Sequence, residues 1–293
     1  MRYEGMIYRP PSEGESLIIQ STIGCPHNRC RFCNMYKAKR FRIRKVADIL
    51  QDIEEAGRLY GDLPPRTLFL ADGNSIVMRT SQLLSVLRKI RETFPGLERV
   101  TAYGAAQYVA HKSLEEWREL RDAGLSRIHC GMESGHDPLL RLVGKGTTMR
   151  GQMEAGRLLR EAGFELSMYY LAGLGGDAMR EGHAVDSAAV LNAADPDFIR
   201  IRTFSPMPGT ELGDEFLQGR LKLSEPHGVL AELRMLVERL TGNGLLLSDH
   251  WLNFAPVHGR LPDDRDVMLR QIDRALALPG DAFRPMGMIS DSL

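Results

Sequence analysis

The sequence contains no long apolar run and only four cysteines. No stretch of about 18 consecutive apolar residues occurs, so no segment has the form of a membrane span. The first six residues, MRYEGM, lack the apolar region of a signal peptide, and we expect a soluble cytoplasmic protein. The formal net charge at pH 7 is +0, so the protein has no overall positive charge that would attract nucleic acid or anionic lipid. Hydrophobic residues make up 43% and charged residues 26%, a composition that permits a sizeable globular core.

The few cysteines are unevenly placed. Cys25, Cys30 and Cys33 fall close together, whereas Cys130 stands alone. A secreted disulfide scaffold would spread an even number of cysteines over a short chain. The cluster therefore indicates a reducing compartment and a bound metal, and we expect Cys130 to be a buried strand residue.

Strand-like and helix-like segments alternate along the chain. Short apolar runs such as TLFLA are typical of strands buried on both faces, and apolar residues at three- and four-residue spacing predict helices. The predicted strands are Ser16–Ile23, Thr67–Ala71, Arg99–Tyr103, Ser126–Met132, Glu165–Leu171 and Asp197–Phe204. The predicted helices are Ile43–Tyr60, Ser81–Thr93, Ser113–Ala123, Thr148–Ala162, Glu181–Ala194 and Ser224–Leu240, with a further helix at Arg265–Leu278.

This alternation predicts an α/β fold with a parallel sheet and right-handed crossovers. The periodicity does not distinguish an open sheet from a barrel. In both architectures ligands bind at the carboxyl ends of the strands. Residues that follow each predicted strand are therefore the first candidates for a functional site.

The cysteine cluster directly follows the first predicted strand, in the segment GCPHNRCRFCNMY, with the spacing C-x4-C-x2-C. Iron–sulfur clusters normally have four cysteine ligands, so three cysteines leave one iron open to a substrate or cofactor. Zinc bound by the three cysteines and His27 is an alternative that the spacing alone does not exclude. Incidental core cysteines are a third interpretation. The position at the carboxyl edge of the sheet favours a reactive cluster over a structural zinc site.

The loop resembles the cluster loop of the radical S-adenosylmethionine (SAM) superfamily, which follows the first strand of a partial (β/α)6 barrel. That family usually has C-x3-C-x2-C, so the first gap here is one residue longer. Phe32 fits the family's aromatic before the last cysteine and is among the predicted cofactor-binding residues. The resemblance implies a [4Fe–4S] cluster held by Cys25, Cys30 and Cys33, with SAM chelating the open iron. One electron, from an external donor such as flavodoxin or ferredoxin, would then cleave SAM to methionine and a 5′-deoxyadenosyl radical that abstracts hydrogen from a substrate.

A second motif, Asp72-Gly73-Asn74, follows the second predicted strand. Members of the family often have a Gly-Gly-Glu motif here that contacts the SAM amino group, and only the glycine is shared. Asp72 or Asn74 can accept hydrogen bonds from an ammonium group. A simple turn or helix cap is the alternative.

A third motif, GMESG followed by KG, resembles methylthiotransferases, oxygen-independent coproporphyrinogen oxidases and elongator-type radical SAM proteins. In those proteins the glutamate, here Glu133, helps to hold SAM. The alternative for Glu133 is an ion pair with Lys145 or Arg150, and Arg150 is also among the predicted cofactor-binding residues.

The fifth and sixth predicted strands carry further candidates. In the family the end of the fifth strand, here Leu171 and Gly173, packs on the adenine, although a plain strand-to-helix turn is an alternative. Arg200 and Arg202 lie on one face of the sixth strand. Arg202 is predicted to bind the SAM carboxylate or an anionic substrate, unless that face points outward.

The resemblance implies a radical SAM core over residues 1–240 and an extension, residues 241–293, that caps the barrel or the substrate pocket. Within this extension His250 and Asp249 are predicted catalytic residues, with His250 as a general acid or base. The alternative is a capped turn in which Asp249 satisfies His250.

Together these features predict a radical SAM enzyme that acts on an unidentified small molecule. Only three cysteines cluster, which excludes a second all-cysteine cluster within this chain. One alternative is an RNA- or protein-modifying radical SAM enzyme, although zero net charge and the lack of an obvious RNA-binding appendage argue against nucleic acid. Another alternative is a zinc or iron–sulfur sensing protein without turnover. The reaction subclass, whether oxidoreductase, lyase or transferase, stays open.

Overall fold

A computed structural model describes residues 1–287. Its strands are β1 (Leu17–Gln20), β2 (Thr22–Ile23), β3 (Arg42–Ile43), β4 (Thr67–Ala71), β5 (Arg99–Tyr103), β6 (Leu125–Glu133), β7 (Glu165–Ala172), β8 (Phe198–Thr203), β9 (Leu245–Leu247) and β10 (His258–Arg260). Its α-helices are α1 (Val46–Tyr60), α2 (Thr80–Thr93), α3 (Ala106–Val109), α4 (Leu114–Asp122), α5 (Asp137–Leu142), α6 (Met149–Glu161), α7 (Arg180–Ala194), α8 (Glu211–Leu217), α9 (Pro226–Arg239) and α10 (Arg265–Leu276).

The main sheet has the strand order β1-β4-β5-β6-β7-β8-β9-β10. β1, β4, β5 and β6 pair in parallel in that order, as do β7, β8 and β9. β10 pairs antiparallel with β9, and β2 and β3 form a separate antiparallel pair. The predicted α/β fold with a mostly parallel sheet is therefore confirmed.

The contacts within the chain divide it into two compact units. The first unit contains residues 1–28, 35–130 and 158–166, and the second contains residues 29–34, 131–157 and the described residues from 167 onward. The predicted boundary at residue 240 stays a prediction.

The core of the first unit surrounds β4, where Leu68, Phe69 and Leu70 are fully buried. The apolar stripes of α1 and α2 contribute further buried residues, such as Ile53 and Leu83. Apolar side chains spaced along one face of each helix are what the sequence pattern predicted.

A buried charge network surrounds Glu13 in the first unit. Glu13 is fully buried, accepts a hydrogen bond from Ser16 Oγ at 2.7 Å and lies 2.9 Å from His129 Nε2. Guanidinium nitrogens of Arg99 and Arg127 each lie 3.6 Å from its carboxylate. Burial alone would raise the pKa of Glu13, but the hydrogen bonds from His129 and Ser16 and the neighbouring positive charges lower it to about 2.

The second unit contains an apolar cluster. Its buried members come from α5 and the residue after it, from α8, and from the segments after β7 and β8, and they are Leu139, Val143, Leu174, Phe204 and Leu212. Partly buried side chains, Phe32 and Leu171 among them, pack against this cluster.

Several elements differ from the prediction. The predicted strand Ser16–Ile23 is interrupted at Ser21, whose N–H donates to the carbonyl of Ala71 while β2 pairs with β3. Helix α9 begins at Pro226 rather than at a cap formed by Ser224, because Ser224 Oγ instead donates to Asp177 Oδ1 at 2.7 Å. No helix within residues 1–287 is both long and apolar enough to cross a membrane.

Candidate functional site

The first part of the cysteine loop lies in the first unit. Gly24 has a φ of +74°, which a residue with a side chain adopts at a cost, and its N–H donates to Asp72 Oδ2 at 2.9 Å. The Gly73 N–H donates in turn to the Gly24 carbonyl at 3.2 Å. Cys25, which is half-buried, is thereby held against the turn after β4.

Asp72 is fully buried and anchors this part of the loop. Besides the Gly24 N–H, its Oδ2 accepts hydrogen bonds from Gln20 Nε2 at 3.1 Å and from Lys39 Nζ at 2.9 Å. Its other oxygen, Oδ1, has no hydrogen-bond partner among residues 1–287. Asp72 therefore has one oxygen committed to the loop and one without a protein partner.

The neighbouring Asn74 is also fully buried. Within the described part of the chain, neither the amide nitrogen nor the amide oxygen of its side chain has a hydrogen-bond partner. Buried amides without partners are uncommon in folded proteins, because leaving them unpaired costs about 1–3 kcal/mol. A polar ligand at this position would satisfy them.

The second part of the loop, Cys30–Cys33, lies in the second unit. The Cys33 N–H donates to the Cys30 carbonyl at 3.3 Å, which closes a tight turn with Arg31 and Phe32 at its centre. Both cysteines are half-buried and form no disulfide.

Arg31 fixes this turn through both its backbone and its side chain, and we name the arrangement the Arg31 clamp. The Arg31 N–H donates to the Val143 carbonyl at 2.9 Å, and the Leu212 N–H donates to the Arg31 carbonyl at 3.1 Å. The guanidinium donates from Nε to Glu211 at 2.9 Å and from Nη2 to Glu215 at 2.6 Å.

The clamp was not predicted from the sequence. Its carboxylates are 180 and 184 residues from Arg31, and α8, which carries them, is too short for a periodicity signal. The only local sign of α8 in the sequence is Thr210, a residue type that favours the start of a helix; its hydroxyl accepts the Gly213 N–H as an N-cap.

Lys145 contacts both Glu133 and Phe32. Lys145 Nζ lies 3.2 Å from Glu133 Oε1 and 5.8 Å from the centre of the Phe32 ring. The ion pair that the sequence offered as an alternative for Glu133 is thus present with Lys145. The Arg150 side chain is instead 87% exposed and lies 3.7 Å from Glu154, and its role in cofactor binding stays a prediction.

The end of β7 is held by a buried carboxylate. Gly173 has a φ of +79°, and its N–H donates to Glu232 Oε1 at 2.8 Å. Leu171 is partly buried against the apolar cluster. On β8, the Arg202 guanidinium lies 6.0 Å from the Tyr169 ring centre, so this side chain packs against the protein.

His250 and Asp249 lie in a turn of the extension, but they are not paired as the simpler interpretation predicted. His250 Nδ1 accepts the Leu252 N–H at 3.3 Å, whereas Asp249 lies 3.8 Å from the Arg200 guanidinium. Burial and the charges of Arg202 and Arg284 together lower the pKa of His250 to about 4, and Asp249 opposes them. At pH 7 this imidazole is neutral, with the proton on Nε2.

The donor set of the loop fits an iron–sulfur cluster. Its three thiols are half-buried and in no disulfide, and thiolate sulfur is the ligand that iron–sulfur clusters use. No three His, Cys, Asp or Glu side chains within residues 1–287 are already gathered in a metal-holding arrangement. The fit therefore rests on the chemistry and position of the thiols.

Solved structures of other proteins share the fold, and two of them illustrate the similarity. The crystal structure of methylornithine synthase matches with a TM-score of 0.54 and 18% identity, over 88% of this chain and 68% of that chain. Coproporphyrinogen III oxidase from Escherichia coli, described as a radical SAM enzyme, matches with a TM-score of 0.57 and 19% identity, over 76% of this chain and 51% of that chain.

Curated sequences are similar over part of their length. An uncharacterised methyltransferase of Pyrococcus horikoshii is 22% identical over 209 residues, which are 71% of this chain and 43% of that protein. The chain spans less than half the length of the curated relatives it matches.

The family model of the radical SAM superfamily matches residues 19–186, more than half of the chain. This range includes the cysteine loop, the turn after β4 and the turn after β6. The chain belongs to the radical SAM superfamily, whose enzymes use a [4Fe–4S] cluster and S-adenosylmethionine.

Proposed function

We propose that this enzyme abstracts hydrogen from a small-molecule substrate, and that Cys25, Cys30 and Cys33 hold its cluster. When bound, the cluster supplies the electron that cleaves SAM to methionine and a 5′-deoxyadenosyl radical. The observation that carries the proposal is the loop of three half-buried thiols, held at one part by Asp72 and at the other by the Arg31 clamp. Each part of the loop is held by its own contacts, which lowers the ordering needed at that part when a cluster binds.

The polar groups after β4 suit the SAM amino group. Asp72 Oδ1 and the Asn74 side-chain oxygen are buried acceptors without protein partners in the described residues, and an ammonium group supplies the missing donors. We assign both residues to this role.

Other strand ends suit the rest of the cofactor. The Glu133 carboxylate at the end of β6 can accept both ribose hydroxyls, while Lys145 balances its charge. The glycine-containing end of β7, with Leu171 and Gly173, provides an apolar surface for the adenine ring. We assign Arg202 to the SAM carboxylate or to an anionic group of the substrate.

We assign His250 to proton transfer near the substrate. With its pKa lowered to about 4, the imidazole is neutral at physiological pH, so it would accept a proton rather than donate one. Asp249 opposes the nearby arginine charges and so favours the protonated form of His250 once a proton arrives.

The extension approaches the end of β8, which supports its proposed role as a cap. Ser205, two residues after β8, donates its hydroxyl hydrogen to the Gly287 carbonyl, and the rings of Phe283 and Phe254 stack edge to face with centres 5.8 Å apart. We further propose a cytoplasmic location and reduction by a flavodoxin- or ferredoxin-type donor.

The test is anaerobic reconstitution with iron and sulfide, followed by reduction, addition of SAM and an assay for 5′-deoxyadenosine. We expect the wild-type protein to form the nucleoside and Cys30→Ala to form none. Cys130→Ala is the matched control, because Cys130 is a buried cysteine of β6 outside the loop, and we expect it to retain cleavage. A colourless wild-type protein with one bound zinc and no nucleoside would overturn the proposal.

A further inference from the structure

One face of α7 holds the backbone on both sides of Ser134, in the turn after β6. His183 Nε2 lies 3.2 Å from the Glu133 backbone oxygen, and Ser187 Oγ accepts the Gly135 N–H at 2.7 Å. His183 and Ser187 are four residues apart, so they project from the same face of the helix. The helix thus fixes a carbonyl and an amide of the turn that carries the Glu133 side chain.

The turn also packs closely on α7. A Cβ atom at Gly135 would collide with the backbone oxygen of Asp186 and lie 2.7 Å from the Ser187 Cα. Beside it, Asp186 Oδ2 lies 2.7 Å from His136 Nδ1. The position of this turn therefore depends on the position of α7.

Glu133 has a φ of +64°, in the left-handed region that side chains with a Cβ rarely adopt. Such a conformation persists only when surrounding contacts enforce it. The hydrogen bond between His183 and the Glu133 carbonyl is a contact of this kind. By holding the backbone of Glu133, this contact helps to set the orientation of the Glu133 side chain.

Glu232 of α9 packs beside His183. Both side chains are fully buried, and Glu232 Oε1 lies 3.3 Å from His183 Nδ1, which has no hydrogen-bond partner within residues 1–287. The same oxygen accepts the Tyr170 hydroxyl hydrogen at 2.7 Å and the Gly173 N–H at 2.8 Å. One buried oxygen therefore links the turn after β7 to the histidine that holds the turn after β6.

We propose that His183 and Glu232 are positioning residues for SAM, an inference that rests on the proposed role of Glu133 as a SAM ligand. His183 holds Glu133 in its left-handed conformation, and Glu232 sets His183 and Gly173 at the same time. Both side chains are fully buried, so we expect neither to reach the cofactor itself. Through this pair, the position of the turn after β6 is coupled to the position of the turn after β7.

The first test uses the protein without cluster or SAM. Hydrogen exchange of the backbone amides of residues 133–136 and 172–174 is measured by mass spectrometry in wild type, His183→Leu, Ser187→Ala and Glu232→Gln. We expect His183→Leu and Ser187→Ala to speed exchange at residues 133–136 by about tenfold, since each removes one hydrogen bond that closes the turn. Glu232→Gln is expected to speed exchange at both segments, and unchanged exchange at residues 133–136 in His183→Leu overturns the proposal.

The second test measures SAM affinity by calorimetry in the cluster-loaded protein. Partners that orient ligand-binding residues typically contribute about 10- to 100-fold in affinity or activity. We expect His183→Leu and Glu232→Gln to weaken SAM binding at least about tenfold while bound iron per chain stays at the wild-type level. Wild-type affinity in both variants would overturn the proposal.

Glu13→Gln is the matched control, because Glu13 is likewise a fully buried carboxylate beside a histidine, His129. We expect it to lower stability but to keep the wild-type SAM affinity; a loss equal to that of Glu232→Gln would make the effect one of general destabilisation and overturn the proposal.

Glu133→Gln distinguishes a failure of the positioning role from a failure of the proposed role of Glu133 itself. If Glu133→Gln binds SAM weakly while His183→Leu binds it normally, the positioning role fails and the proposed function stands. If Glu133→Gln binds SAM as wild type does, the proposed role of Glu133 fails.

Discussion

At the scale of single residues, Gly73 determines whether the first part of the cysteine loop can reach its position. A Cβ atom at Gly73 would lie 2.9 Å from the Cys25 Cβ, 3.0 Å from its Cα and 3.0 Å from the Gly24 carbonyl oxygen. Two of these three neighbours are backbone atoms, which cannot move aside as a flexible side chain can. Cys25, a proposed cluster ligand, can therefore pack against residue 73 only because that residue has no Cβ atom.

We predict that Gly73→Ala greatly reduces cluster incorporation. The measurement is iron and sulfide per chain after anaerobic reconstitution, with an expected loss of half or more. Gly96→Ala is the matched control, since a Cβ atom there meets nothing within 4 Å, and it should load normally. Full iron content in Gly73→Ala would mean that the loop tolerates the extra carbon.

A second prediction concerns the charge state of His250. Because its pKa is lowered to about 4 in the folded protein, protonation favours the unfolded chain, so this group removes stability as pH falls from about 6.5 toward 4. Removing the positive charge in Arg202→Gln should raise the pKa of His250, and removing the negative charge in Asp249→Asn should lower it. An NMR titration of the His250 ring measures both shifts, and a movement in the opposite direction would contradict this electrostatic account.

At the scale of elements, the short helical turn Pro11–Glu13 matters because it delivers a carboxylate into the core of the first unit. Three positive or protonatable groups surround Glu13, and removing one partner of a buried charge network leaves the others uncompensated. This turn has little apolar content of its own. Its contribution to stability is electrostatic.

We therefore predict that Glu13→Gln lowers the free energy of unfolding by about 2–4 kcal/mol at pH 7. Since the pKa of Glu13 is lowered to about 2, its contribution is complete above pH 4.5 and is lost as pH falls from 4.5 toward 2. Urea unfolding at pH 7 and at pH 3 measures the effect, and the difference between wild type and variant should shrink at pH 3. Glu98→Gln, which removes an exposed pair with Arg66, is expected to change little.

Most of the repeating elements were predictable because each carries its own periodicity. The helices at Val46–Tyr60 and Pro226–Arg239 and the strand at Thr67–Ala71 lie close to where the apolar patterns placed them, although Ile43, predicted to begin the first helix, lies in β3. The short helices α5 and α8 and the strands β9 and β10 were not predicted as elements. Each has too few residues for a period, and packing decides its conformation.

The candidate site was predictable where chemistry is local in the sequence. The three cysteines and the turns after β4 and β6 are marked by residue type and by position after a strand. The partners of those residues are not local: Arg31 with Glu215, Asp72 with Lys39, and His183 with Glu232 meet only through the fold. The left-handed conformation of Glu133 has no signal in the sequence, because neighbouring elements impose it.

At the scale of the whole molecule, the balance of charge bears on the substrate. With 38 basic and 38 acidic residues, the chain has no net field to attract a polyanion. We predict that filter binding with bulk tRNA at about 0.15 M salt gives only non-specific affinity, with a Kd of about 100 μM or weaker. Tighter, saturable binding would favour the alternative of an RNA-modifying enzyme over a small-molecule substrate.

The Arg31 clamp has a consequence for biosynthesis. A ribosome releases Cys30 and Cys33 long before it reaches Glu211 and Glu215, because 180 or more residues separate Arg31 from these carboxylates. Until α8 emerges and folds, the turn between the two cysteines lacks the contacts that fix it. Iron delivered to the growing chain would meet a loose pair of thiols, whereas iron delivered to the finished chain meets a fixed one. Cluster insertion is therefore expected to follow completion of translation through α8.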